Sequence, residues 1–241
     1  MAFSREPLPR ATLPVLLSIL GLLLTPGAWG AQSAEGDPVT FPNPRGVILR
    51  GHLFGQGRTA VLLAHGDGGD QRAWFPFAQT LAGKGFLALA FDFEGHGRSN
   101  GTPTPRRMDG DIAASTAFLR GYGADRIFLV GAGLGGTAAL RLAAREPVAG
   151  VVVLSAPVVA RDLSVEGQIG RIAAPLMLVA SEADAAGTGA ARALAARAKA
   201  PVSVRIVPGD GRGADLLSGP AGARLTSALL AFLASPAAVA R

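Results

Sequence analysis

Residues 129–136 read Leu-Val-Gly-Ala-Gly-Leu-Gly-Gly: an apolar run, a glycine-rich turn and the start of a helical pattern. Two kinds of chemistry use such a turn. In G-x-S-x-G, a sharp bend lifts a nucleophilic serine above a sheet edge. In G-x-G-x-x-G, the glycines let a backbone approach the pyrophosphate of a dinucleotide. Gly131, Gly133 and Gly136 spell the second pattern, while Gly133 stands where the first would carry its serine. The dinucleotide turn belongs to a first βα unit and is followed about 20 residues on by an acid that holds the ribose. Here at least two strand-like runs come first and residues 151–157 contain no acid, so dinucleotide binding is the minor alternative.

The other reactive side chains are few. Cysteine is absent, which excludes a thiol nucleophile, a thiolate metal site and disulfide bracing. The three histidines, His52, His65 and His96, all precede the glycine turn. Asp67 with Asp70, and Asp109 with Asp111, lie close in sequence, but no histidine or cysteine joins either pair. Loop and helix-start roles account for them, and neither a metal nor a cofactor is expected. Ser155, after the apolar run 151–154, and Ser181, beside Asp184, are candidates for a displaced nucleophile, yet neither has an obvious base. That arrangement would be an active ester or acyl hydrolase with a non-standard constellation.

The elements that must position these residues alternate regularly. Apolar runs predict strands at 46–54, 59–64, 86–91, 127–130, 148–154, 176–180 and 202–207. Helical spacing predicts helices at 74–82, 112–119, 137–145, 190–198 and 221–233, the second begun near Asp109 or Asp111. Strands of continuous apolar residues between helices signal an α/β fold, a mostly parallel doubly wound sheet flanked by helices. Only 156–175 leaves room for a cap, so a lid is small or absent.

Three loops then line up. His65-Gly66-Asp67-Gly68-Gly69 follows one strand, Gly95-His96-Gly97-Arg98-Ser99 the next, and the 131–136 turn the third. This order resembles the α/β-hydrolase superfamily, and within it small lidless esterases and dienelactone-hydrolase-like proteins, over about residues 46–233. The resemblance implies an oxyanion hole built from the backbone amides of Asp67 and Leu134, with His65 and His96 as structural loop residues. It implies a catalytic acid at Asp184, a nucleophile at Gly133 and a histidine at Arg212. The chain departs at the last two. A guanidinium stays protonated and cannot act as a base, but it can pair with Asp184. A double loss at complementary positions implies a pseudo-hydrolase with a small-molecule binding or scaffold role, Asp184 being the remnant of the triad. A small anionic or ester-like ligand is the expected occupant.

Composition bounds the rest. Of 241 residues, the first thirty have the form of a secretory leader: Arg5 and Arg10, an apolar run over 11–24, then Ala28-Trp29-Gly30 ahead of Ala31. The run is shorter than the roughly 20 residues a spanning helix needs. Cleavage near Gly30, export to the periplasm or medium, and membrane contact only through the leader are therefore expected. Residues 31–45 read as a linker and 46–241 as a single domain. The net charge of +6 is almost all arginine, with Lys84 and Lys199 the only lysines. The basic residues are scattered without interleaved aromatics, which argues against nucleic acid.

Overall fold

The computed structural model describes residues 35–235, so the leader and its cleavage point lie outside the described residues. An eight-stranded sheet has the order β1-β2-β4-β3-β5-β6-β9-β10. The strands are β1 (Asp37–Pro42), β2 (Ile48–Phe54), β3 (Thr59–Ala64), β4 (Leu87–Asp92), β5 (Arg126–Ala132), β6 (Gly150–Leu154), β9 (Leu176–Ser181) and β10 (Val202–Val207). β1 pairs antiparallel with β2, and β2 antiparallel with β4. From β4 through β3, β5, β6 and β9 to β10 every pairing is parallel.

Five α-helices cover the sheet: α1 (Phe75–Ala82), α2 (Met108–Gly121), α3 (Gly133–Ala143), α4 (Ala185–Arg197) and α5 (Gly222–Leu233). Successive residues of each central strand feed opposite faces. Ala60, Leu62 and Ala64 of β3 join α2, α3 and α4 in one cluster, while Val61 and Leu63 join α1 and α5 in the other. Burial on both faces is why these strands are continuously apolar. Each fully buried Leu, Val or Phe contributes about 1.5–3 kcal/mol, and packing of this kind stands in for disulfides. Among the described residues, no helix is long and apolar enough to cross a membrane.

One segment differs from the sequence reading, and another takes the small form expected of it. Residues 37–42, within the expected linker, form edge strand β1. Pro38 and Pro42 disguise it, and an edge strand is where proline is tolerated. The tight return to β2 is set by Asn43, whose Oδ1 accepts from the N–H groups of Arg45 and Val47 at 2.9 and 3.1 Å. The 156–175 segment holds a two-stranded hairpin, β7 (Val159–Ala160) with β8 (Leu163–Ser164), which makes it a small cap.

α2 begins at Met108 with Asp109 and Asp111 in its first turn, as expected, although neither side chain makes a capping hydrogen bond. Asp109 pairs with Arg145 and Arg141 of the neighbouring helix region. Asp111 accepts from Asn43 Nδ2 at 2.9 Å and Glu94 N at 2.9 Å. Burial pushes its carboxyl up to about 6, against the Asn43 hydrogen bond that holds it down.

Candidate functional site

The residues singled out from sequence gather at the C-terminal ends of neighbouring parallel strands. The loop 65–69 follows β3, Gly133 follows β5, Ser155 follows β6, Asp184 follows β9 and Arg212 follows β10. After β3 the chain crosses to β4 on one side and then returns to β5 on the other. The strand order therefore reverses between β3 and β5, and such a switch point opens a crevice for a ligand. A cleft of about 950 Å³ lies there, lined by Asp67, Gly133, Ser155, Asp184 and Arg212 among others.

The turn at Gly133 is a strand-to-helix elbow. Ala132 is extended (φ −101°, ψ 139°) and Gly133 is left-handed at φ +48°. Residues with a Cβ pay of order 1–3 kcal/mol for such backbone, a cost glycine avoids. The glycines around it have a different origin. A Cβ on Gly131 would lie 2.6 Å from Gly136 Cα, one on Gly135 2.3 Å from the His65 carbonyl oxygen, and one on Gly136 2.8 Å from Ala156 Cβ. These three let α3 lie against β3, β5 and β6. At Gly133 the nearest non-neighbouring atom to a Cβ would be Gly66 Cα at 3.7 Å, so the place of a serine side chain is open. The G-x-G-x-x-G spelling is thus a packing pattern after the third parallel strand, which corrects the dinucleotide alternative.

Asp184 is 2 % exposed and caps α4, its Oδ1 accepting from Gly187 N at 3.1 Å. The same oxygen lies 3.1 Å from Nη2 of Arg212, whose side chain is 66 % exposed. The buried acid and the residue at the histidine position therefore meet, although an ion pair this open contributes at most about 1 kcal/mol. Leu134 is the second residue of α3 and its side chain turns into the core. Its amide belongs to the first helical turn, where N–H groups lack intrahelical partners. Asp67 stands at the cleft with its carboxylate 2.6 Å from Nη2 of Arg161, in the turn of the cap hairpin. Sequence reasoning missed Arg161, and nothing in its local sequence signals a contact 94 positions away.

His65 is a structural residue. Nδ1 donates to the Gly66 carbonyl at 2.7 Å and Nε2 accepts from Phe93 N at 3.2 Å. Burial lowers its pKa, with the Gly66 hydrogen bond acting the other way. A folded-state pKa below the unfolded value means that only the unfolded chain gains this proton as pH falls through about 6.5. The urea midpoint of wild type is therefore expected to drop relative to His65→Gln as pH goes from 7.5 to 5.5; parallel pH profiles for the two proteins would refute it. His96 contacts the Glu94 carbonyl through Nδ1 at 3.0 Å and lies outside the cleft lining. Ser181 Oγ donates to the Gly211 carbonyl at 2.8 Å and is fully buried. Ser155 differs: its φ is +54° and its Oγ is buried without a partner.

Residues 55–182 match a family model described as serine aminopeptidase, S33. The chain belongs to this family of α/β-hydrolases. The matched region contains the elbow but stops short of Asp184 and Arg212. Among curated relatives, an uncharacterised protein of Mycobacterium tuberculosis is 31 % identical over 146 residues, 56 % of this chain and 52 % of that one. An uncharacterised protein of Salmonella typhi is 29 % identical over 118 residues, 45 % and 40 % of the two chains. The chain thus spans about half the length or less of these relatives. Solved structures share the hydrolase fold. A Pyrococcus furiosus esterase superposes with TM-score 0.72 at 19 % identity, covering 81 % of this chain and 88 % of that one. The α/β-hydrolase GrgF of a Penicillium species gives 0.70 at 19 % identity, covering 81 % and 96 %.

Proposed function

We propose that this hydrolase-fold protein has given up Ser-His-Asp catalysis and uses its cleft to bind a small ester-like ligand. The observation that carries the reading is a left-handed elbow occupied by Gly133, with room for a side chain, together with Arg212 paired to the buried Asp184. A triad needs a hydroxyl at the first position and an imidazole at the second, because the imidazole takes the serine's proton while the acid fixes its tautomer. Here the acid is kept and both partners are replaced.

Electrostatics favour a neutral acyl group over an anion. Asp67 is met by Arg161 and Asp184 by Arg212, which leaves Glu166 and Asp215 against Arg197 on the cleft lining. A free carboxylate would enter against a surplus of like charge, whereas an ester carbonyl needs only the backbone donors expected at Asp67 and Leu134. A second reading, an active hydrolase with a non-standard constellation, draws support only from the unpartnered hydroxyl of Ser155. No base accompanies it, since both ring nitrogens of His65 are engaged.

Turnover of 4-nitrophenyl acetate and labelling by a fluorophosphonate test the two readings. Wild type is expected to show no stoichiometric adduct and turnover no greater than the 10³–10⁴-fold over water that a surviving oxyanion hole leaves in a disabled serine hydrolase. Stoichiometric labelling of one serine with matching loss of turnover would sink the binding reading.

A further inference from the structure

Ser155 lines the cleft with a buried hydroxyl that has no partner, and the binding reading gives it no role. It follows β6, which lies between β5 and β9 in the sheet, so it stands between the vacant elbow at Gly133 and the acid at Asp184. Among the described residues, Ser155 and Arg161 are the non-glycine positions with positive φ. Arg161 sits in the two-residue turn of the β7–β8 hairpin, where positive φ is ordinary. Ser155 is at a strand end and has no such reason.

The surroundings hold it in that conformation. Its N–H donates to the Val179 carbonyl of β9 at 2.8 Å. Two residues on, the Pro157 carbonyl accepts from Thr137 Oγ1 of α3 at 2.6 Å. Strained backbone that is fixed from both sides concentrates at ligand clamps. The hydroxyl itself has no partner, although buried polar groups nearly always find one. The residue as a whole is only partly buried and lines the cleft.

We propose that Ser155 is the ligand-holding hydroxyl of this cleft, its Oγ–H donating to the acyl oxygen of a small neutral ester seated over Gly133. The proposal rests on the binding reading above and identifies the side chain that makes the contact. The absent serine matters twice: it removes the nucleophile, and it leaves open the volume from which a carbonyl reaches the next strand. Ser155 binds and does not attack, because His65, the histidine on the cleft lining, has both ring nitrogens engaged.

The test is an amide-shift NMR titration of the full chain with ethyl butyrate, using wild type, Ser155→Ala and Ser155→Gly, with sodium butyrate as a comparison ligand. Loss of one hydrogen bond is expected to weaken ethyl butyrate by about three- to tenfold in both variants. Ser155→Gly is expected to melt higher than Ser155→Ala, because glycine accepts the left-handed backbone. That pair separates lost binding from lost folding. Ser155→Ala binding within about 1.5-fold of wild type would overturn the role of Ser155 and leave the binding reading standing. Absence of ethyl butyrate shifts at the cleft in every protein, or its hydrolysis by wild type, would overturn both. Tighter binding of butyrate than of its ester would overturn the neutral-ligand assignment.

Discussion

The Gly133→Ser, Arg212→His double variant is expected to hydrolyse 4-nitrophenyl acetate at least 10²-fold faster than wild type. The elbow already has the left-handed turn a nucleophile requires, and a Cβ there meets only Gly66 Cα at 3.7 Å. Asp184 is buried, ordered by its cap to Gly187, and already in contact with the residue at position 212. Replacing the guanidinium by imidazole supplies a base, and positioned general base catalysis typically contributes 10²–10⁴-fold. Each single variant should stay near wild type, because serine without a base and histidine without a nucleophile do little. Activity of the double variant should rise with pH through about 6.5, since the imidazole must be neutral to accept the proton. The serine costs some stability in left-handed backbone, about 1–2 kcal/mol, which its melting temperature should report. A folded double variant with wild-type turnover would mean that the remnant geometry is not a triad's.

Asp92→Ala is expected to lower unfolding free energy by about 3–5 kcal/mol, the largest single-site loss outside the apolar core. Asp92 ends β4 and is 1 % exposed. Its Oδ1 accepts from Gln71 N, and its Oδ2 from Gln71 Nε2 and Arg98 N, each at 2.8 Å. Gly97 is left-handed at φ +50°, and a Cβ on it would lie 2.2 Å from Oδ2. One carboxylate thereby ties the loop carrying His96 to the turn before α1. Removing it leaves the two buried Gln71 donors and the partly buried Arg98 N–H with no acceptor, each worth about 1–3 kcal/mol where buried. Asp92→Asn keeps one acceptor oxygen and should lose roughly half as much. Urea unfolding of the three proteins measures this, and an alanine variant within about 1 kcal/mol of wild type would show that water replaces the carboxylate.

The parts of this molecule legible in its sequence share one property: they depend on residues close along the chain. The strands at 59–64 and 202–207 match β3 and β10 end for end, because short runs rich in β-branched and apolar residues between turn residues are a local signal. Helical spacing places the starts of α1 and α5 to within one residue but reads those of α2, α3 and α4 late. α4 begins at Ala185 and α3 at Gly133, where glycine and small residues hide the first turn. β1 does not read as a strand because its prolines resemble a linker, and its pairing with β2 supplies the order that its own sequence lacks. The cap hairpin is two residues per strand, too short for any periodicity.

The doubly wound α/β fold, the elbow at Gly133 and the absence of any histidine beyond it are all legible along the chain. Those follow from residue types and their local spacing. That Arg212 reaches Asp184 follows from packing, since adjacent parallel strands bring the two together. Tertiary contacts also decide which glycines the turn needs for packing and which one leaves a space. The conformation of Ser155 belongs to the same class. A left-handed serine with an unpartnered hydroxyl is fixed by contacts to β9 and α3, and no local pattern encodes contacts made across a sheet.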